Sequence, residues 1–281
     1  MIGDDASTDG TSEIVAAYAV AYPRLIQHIR RFERIGGSAN YIDLLVRARG
    51  EFIAYLDGDD YWLPGKLKHQ LKYIYSHQDC SAVYTNAFSI SESGVKIGVF
   101  NDYPGEEIHL SDLLRRGNFL CNSSMLFRKH LCAAIFSVKG PVLDFRVHLL
   151  HASTGNLAQL SDALVGYRVN SSGSMVVRAN DLVRELYWQA IQSVPRKLVT
   201  DYDYACGIAD FLRRVFFRAV HTRDLNFLCA WIKKSYAVSP YGMLHTTALV
   251  LSNVARIVKK MALALLAKFF KHNYLTVLYH Y

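Results

Sequence analysis

The run from Glu51 to Asp60, EFIAYLDGDD, reads as a short apolar strand that delivers three carboxylates, Asp57, Asp59 and Asp60, into one turn. Carboxylates a few ångströms apart repel at neutral pH unless a divalent ion or hydrogen-bond donors neutralise them, and hard oxygen ligands suit Mg2+ or Mn2+ better than zinc. A metal held there can clamp a diphosphate. The competing reading is an ordinary solvated Asp-Gly-Asp turn. An EF-hand is excluded, because the ladder of alternating acids and its closing Glu are missing.

A second acidic turn opens the chain, Gly3-Asp4-Asp5-Ala6-Ser7-Thr8-Asp9-Gly10-Thr11, and leads into apolar residues at helical spacing from Ser12 to Tyr22. Ser7, Thr8 and Asp9 are candidate helix caps, a role that needs neither Asp4 nor Asp5. Arg34-Ile35-Gly36-Gly37-Ser38-Ala39-Asn40 follows as a loop, then a helical pattern over Tyr41 to Arg49, then Gly50 and the strand into Asp57. This rhythm of strand, helix, loop, helix and strand predicts an α/β sheet with its site at the carboxyl edge of the strands. Arg47 and Arg49 read as a solvated helix face, and Trp62 either lines a pocket or covers the core. His148 and His151 lack a third ligand and read as ordinary helix residues.

DDASTDGT, RIGGSAN and RARGEFIAYLDGDDYW, in this order and spacing, resemble the nucleotide-binding half of family 2 glycosyltransferases, inverting enzymes of the GT-A fold. The resemblance extends over about the first 175 residues, through Lys66–His77, through LSDLLRRGNFLCNSSMLF at Leu110–Phe127, and through Val142-Leu143-Asp144-Phe145-Arg146 and Gly166-Tyr167-Arg168-Val169-Asn170. It implies that Asp4 or Asp5 contacts the base or ribose of a nucleotide, that Asp57 and Asp59 serve the ribose and the metal-diphosphate, and that Asp144 is the catalytic base. Such a carboxylate would deprotonate the acceptor hydroxyl while the metal stabilises charge on the departing diphosphate. Asp144 precedes a helical run, Phe145–Ala152, and is equally suited to cap it, with Arg146 as an ion-pair partner. Arg34, on the donor side, stands where family members often carry Asn. Met1-Ile2 already corresponds to the family's second strand. The resemblance therefore leads one to expect a fragment or a misplaced start, with roughly thirty residues missing upstream.

The chain of 281 residues is 51% hydrophobic and 20% charged, enough to bury the core of one α/β domain with an appendage. Five cysteines without a CxxC pair point away from a zinc site and a disulfide framework, and towards a reducing compartment. The acidic, polar start predicts no secretory leader.

Charge is unevenly spread. Residues 1–180 are balanced at 18 basic and 18 acidic, whereas 181–281 hold 14 basic and six acidic side chains. No acid follows Asp224, but Lys233, Lys234, Arg256, Lys259, Lys260, Lys268 and Lys271 do. Over Met243–Lys271, Arg256, Lys259, Lys260 and Lys271 share a helical face with His245, Ser252 and Asn253, and apolar residues fill the rest. That pattern predicts either a packed helical subdomain or a helix lying on anionic lipid. A membrane span is disfavoured, because the run Ser235–Ala255 contains Pro240, His245 and Asn253. Nucleic-acid binding is disfavoured by the absence of any recognisable module.

The expected architecture is thus a GT-A, Rossmann-like mixed sheet over residues 1–180 with a basic helical region over 181–281. The expected activity is metal-dependent, inverting transfer of a sugar from a nucleotide donor, foremost a UDP-sugar, to a lipid-linked or polysaccharide acceptor, with Mn2+ or Mg2+. The enzyme is expected at the cytoplasmic face of the membrane. The alternative is a non-catalytic nucleotide-sugar-binding or scaffold protein of the same fold.

Overall fold

In the computed structural model, which describes residues 1–131, 133–136, 138, 140–169, 180–270 and 276–279, a mixed sheet is flanked by helices. Its axis is a parallel pair of long strands, β5 (Cys80–Ile90) and β9 (Asn156–Arg168). The free edge of β5 carries β8 (Leu126–Arg128) near its start and β6 (Lys96–Asn101) near its end, both antiparallel. The free edge of β9 carries β4 (Tyr61–Trp62) and β7 (Glu107–Ile108). Beyond β8 lies β3 (Phe52–Ala54), and β10 (Thr276–Tyr279) runs parallel to β6. Ala82, Val83, Tyr84 and Ala87 of β5 are fully buried, as its near-continuous apolar sequence dictates for a strand covered on both faces.

The strand leading to the first acidic turn, β1 (Ile2–Asp4), does not join this sheet. It pairs in parallel with β2 (His28–Arg30) as a separate two-stranded unit. The helix α1 (Thr11–Ala21) connects the two. Its N-cap is Gly10, at φ 85°, and not Ser7 or Thr8. Asp9 accepts from both the amide and the hydroxyl of Thr11. The next helix, α2 (Gly37–Arg47), begins four residues earlier than the apolar periodicity suggests, inside the glycine loop. It sits tightly on β1: the Asn40 amide donates to the Gly3 carbonyl at 3.0 Å, and a Cβ at Gly3 would lie 2.8 Å from the Leu44 side chain. Only glycine permits that approach.

The remaining helices are α3 (Lys66–Ser76), α4 (Leu110–Arg116), α5 (Ala133–Phe136), α6 (Asp144–Ala152), α7 (Asn180–Gln192), α8 (Asp201–Thr222), α9 (Leu225–Tyr236) and α10 (Met243–Phe270). The largest cluster of buried apolar side chains runs continuously from the sheet (Tyr84, Phe127, Leu157) through α6 (Phe145, Leu149) to Trp188 of α7 and Phe211 of α8. Thr200 and Asp203 form a reciprocal capping box at the start of α8.

Along α10 the predicted cationic stripe is divided. Lys259, His245 and Ser252 are exposed, whereas Arg256, Lys260 and Asn253 are half-buried on the side towards the protein. Lys271 and Asn170 lie outside the described residues, and the side chain of Lys268 is not described. No described helix is long and apolar enough to cross a membrane.

Candidate active site

The second acidic turn hangs between β3 and β4 and is fastened from two directions. From the side of β8, the short 3-10 turn Asn122–Ser124 presents Ser123, whose hydroxyl donates to Asp57 Oδ2 and accepts from the Asp57 amide, both at 3.1 Å. The indole N–H of Trp62 donates to the Ser123 carbonyl at 2.8 Å, so this tryptophan braces the turn. From the end of β9, the Arg168 amide donates to Asp60 Oδ1 at 2.8 Å and its guanidinium to the Asp59 carbonyl at 2.9 Å. The pairing of Tyr61 with Gly166 sets this alignment. The Tyr61 ring occupies the space a side chain at 166 would need.

Asp57 is further held by the Tyr55 hydroxyl, which donates to its Oδ1 at 2.6 Å. Burial raises its pKa, against the pull of the Tyr55 and Ser123 hydrogen bonds. Burial also pushes the Asp60 carboxyl up to about 6, with the charges of Asp59 and Asp57 adding to the effect. Its Oδ2 is buried without a hydrogen-bond partner. Asp59 is exposed.

Asp144 opens α6, and its Oδ1 accepts from the Phe145 amide at 2.7 Å. Burial lifts its pKa to about 6, the nearby Asp57 charge raises it further, and a hydrogen bond from the Asn118 side chain opposes the rise. Asn118 is itself oriented by His148, whose Nδ1 lies 3.1 Å from its Oδ1. Burial holds His148 and His151 neutral, with pKa values lowered to about 3 and about 4. Among the described residues no ion pair joins Arg146 to Asp144, and the Arg146 Nε is buried without a hydrogen-bond partner.

The first acidic turn is built differently. Asp4 is only 3% exposed, and its Oδ1 accepts from the Ser7 amide at 2.9 Å. Hydrogen bonds from Ser7 hold its carboxyl below the usual range. Its Oδ2 faces His28 Nε2 at 3.8 Å. Asp5 grips the loop before α2, accepting from the amides of Ile35 (2.8 Å) and Gly36 (2.9 Å). Arg34 is exposed at the start of that loop. Two residues past Gly36, the Ser38 hydroxyl accepts from the Val142 amide at 2.8 Å, which ties this loop to the segment entering Asp144. Asp5, Arg34 and Asp144 are thus mechanically joined, while the Asp4 carboxylate is turned into the protein. Arg47 donates to Asp43 at 2.7 Å, the solvated-face role expected of it.

Three positioning residues escaped the sequence reading: Tyr55, Ser123 and Asn118. Tyr55 stands two residues before Asp57 and could have been found from alternation along the strand. Ser123 and Asn118 lie more than 60 residues from the turn, and nothing local marks them.

Among the described residues no three His, Cys, Asp or Glu side chains converge as a complete metal cage. The acidic turn still fits a hard divalent cation, because Asp59 is free to solvent and Asp60 Oδ2 is orphaned. Mg2+-type ions are commonly held by one or two carboxylates together with substrate phosphates.

The Glycosyl transferase family 2 model matches residues 1–136. The chain is 33% identical over 190 residues to the uncharacterized protein Rv1520 of Mycobacterium tuberculosis, a span that is 67% of this chain and 54% of the relative. It is 26% identical over 189 residues to the UDP-Glc:alpha-D-GlcNAc-diphosphoundecaprenol beta-1,3-glucosyltransferase WfaP of Escherichia coli, covering 66% of this chain and 71% of that one. The chain spans about half the length of the first curated relatives it matches. Its fold is like that of S. aureus TarS 1–349 (TM-score 0.59, 16% identity, 93% of this chain and 81% of that chain). It is also like that of the mannosyltransferase PcManGT of Pyrobaculum calidifontis, solved with GDP-Man and Mn2+ (TM-score 0.51, 17% identity, 91% and 70%). Through residues 1–136 the chain belongs to glycosyl transferase family 2, and its fold is that of the GT-A glycosyltransferases.

Proposed function

We propose that the protein is an inverting glycosyltransferase that moves a sugar from a nucleoside diphosphate donor, foremost a UDP-sugar, to a lipid-linked or polysaccharide acceptor. The observation that carries this reading is the placement of Asp144 within the field of Asp57, with a carboxyl raised to about 6. A base of that pKa is ionised at neutral pH yet basic enough to take a proton from an acceptor hydroxyl as it attacks the anomeric carbon. Attack from the face opposite the leaving diphosphate inverts the configuration. Asp59, with Asp57 and the orphaned oxygen of Asp60, would hold Mn2+ or Mg2+ against the diphosphate, and such an ion supplies charge stabilisation to the leaving group. The loop gripped by Asp5, with Arg34 at its start, would take the nucleotide. Asp4 supports that loop from within.

The choice of donor follows WfaP, whose name gives a UDP-sugar and a diphosphoundecaprenol-linked acceptor; the choice of metal follows PcManGT. Residues 1–180 form the transferase unit in this reading. The basic region 181–281 holds the enzyme peripherally at the anionic cytoplasmic surface where such acceptors reside. Calorimetric titration of the full chain with UDP, with and without Mn2+, tests the donor site. Metal-dependent binding is expected, and its absence in a folded chain would overturn the proposal. Binding with no turnover against any lipid-linked acceptor would favour a non-catalytic nucleotide-sugar-binding protein.

A further inference from the structure

The helix α10 turns a mixed side towards the protein, with Leu249, Val250, Val254 and Ile257 half-buried there beside polar groups. It lies along α8, and of those polar groups Thr246 is fully buried, while Asn253, Arg256 and Lys260 are half-buried. Lys260 reaches Asp102 at 3.8 Å, and burial lowers the pKa of the Arg256 guanidinium. The side it turns to solvent carries a long apolar stripe bordered by the exposed His245, Ser252 and Lys259. Leu244, Leu251 and Val258 are 89%, 62% and 51% exposed. They are seven residues apart, so they keep to one stripe of the helix. Ala248, Ala255 and Ala262 are exposed between them, and Met243, Met261 and Leu263 widen the stripe. From Leu244 to Ala262 it runs about 27 Å at the rise of an α-helix. Exposed apolar stripes of this length mark a surface that is covered in use.

Charge selects the occupant. Two copies meeting along α10 would bring their Lys259 side chains together with no carboxylate on the helix itself to pair them. An anionic bilayer complements both the apolar stripe and that lysine. We propose that the outward face of α10 is the surface by which the protein docks on an anionic phospholipid bilayer, with Leu244, Leu251 and Val258 entering the acyl boundary and Lys259 at the headgroups. This deepens the membrane-surface part of the proposed function and rests on it. The contact it assigns is chiefly apolar insertion, because two of the cations the sequence offers to lipid, Arg256 and Lys260, are engaged with the protein.

The test is co-sedimentation of the full chain with vesicles of phosphatidylcholine containing phosphatidylglycerol, at low and high salt, for the native chain, Leu251→Asp, Val258→Asp and Lys259→Gln. Either aspartate variant is expected to lower the vesicle-bound fraction at least about tenfold. Lys259→Gln and high salt should lower it only a few-fold. All four proteins should show the same circular dichroism and the same UDP titration, which keeps loss of docking distinct from loss of the donor site. Native-level vesicle binding by both aspartate variants would overturn the proposal, as would binding abolished by salt alone. A dimer seen by ultracentrifugation that the aspartate variants dissociate, with no vesicle binding by the native chain, would assign the face to a second copy instead. Vesicle binding without sugar transfer would leave the docking face standing and remove the catalytic reading.

Discussion

At the first acidic turn the protein's own amides occupy most of the carboxylate oxygens: Asp4 takes Ser7 through one oxygen, its other oxygen lying buried near His28 without a hydrogen bond, and Asp5 takes Ile35 and Gly36. At the second, burial raises the carboxyls of Asp57 and Asp60, Asp60 Oδ2 is left with no donor, and Asp59 faces water. Two stretches of similar composition therefore do opposite electrostatic work. Backbone donors relieve negative charge at the first turn and hold a loop in shape. The second keeps repulsion in store for a cation, and Asp144 feels part of the same field.

The sharpest way to probe the second turn's environment is at Asp144. Asp144→Asn keeps shape and removes the base, so transfer should fall by about 100-fold or more while UDP binding with Mn2+ stays within about twofold. Steady-state transfer rates and calorimetry on the same preparation check both halves. Unchanged transfer would move the base elsewhere.

The two turns can next be set directly against each other. Asp59→Asn should abolish the Mn2+-dependent part of UDP affinity, a loss of at least about tenfold, with no loss of stability. Asp5→Ala should weaken UDP binding equally with and without Mn2+. It should also cost about 1 kcal/mol in urea denaturation, because two exposed amides lose a charged acceptor and turn to water instead. If Asp5→Ala removed the metal dependence, the distinction between the turns would collapse.

Much of this was legible in the residues. Strand character ahead of Asp57 and the helices α1 and α6 follow from local periodicity, α3 follows from the family resemblance, and the grip of Asp5 on a loop 30 residues away was not foreseen. The β1–β2 pair was not foreseen either, because three-residue strands carry no pattern that names a partner. Ser123 was equally hidden. It lies in Asn122-Ser123-Ser124, an unremarkable polar triplet, and its partner is 66 residues away. On α10 the sequence identified an amphipathic helix but not which side faces the protein, since the burial of Arg256 and the approach of Lys260 to Asp102 are tertiary events.

Proton linkage separates the turns by sign. Asp4 has a folded pKa below its ordinary value, so its contribution to stability is present above that value and is lost as pH falls through the folded pKa. Asp144 has a folded pKa raised from 3.8 to about 6, so its contribution is present below pH 3.8 and is lost as pH rises through about 6. Melting temperature measured across that window should decline towards neutrality, with Asp144 contributing the equivalent of about 3 kcal/mol and Asp60, raised to the same value, adding to it, and Asp144→Asn should remove the Asp144 share. The same titration should appear as the acidic limb of the transfer rate, which rises with pH as Asp144 ionises. A flat rate profile through pH 6 would dissociate the rate from this carboxyl.

The smallest expected effect is at Ser123. Its hydroxyl both donates to Asp57 Oδ2 and accepts from the Asp57 amide, so Ser123→Ala leaves one buried amide unpaired and removes one of the two hydroxyls that favour the ionised carboxylate. Stability should drop by about 1 kcal/mol, and UDP affinity with Mn2+ should drop a few-fold. Asp57 should then bind the donor only at higher pH than in the native chain, because loss of a donor to the charged form lifts its pKa further. Ser123→Ala with Asp59→Asn in a double-mutant cycle gives the deciding number. Coupled losses of UDP affinity mean that the serine acts through the acidic turn, whereas additive losses mean that it merely supports β8.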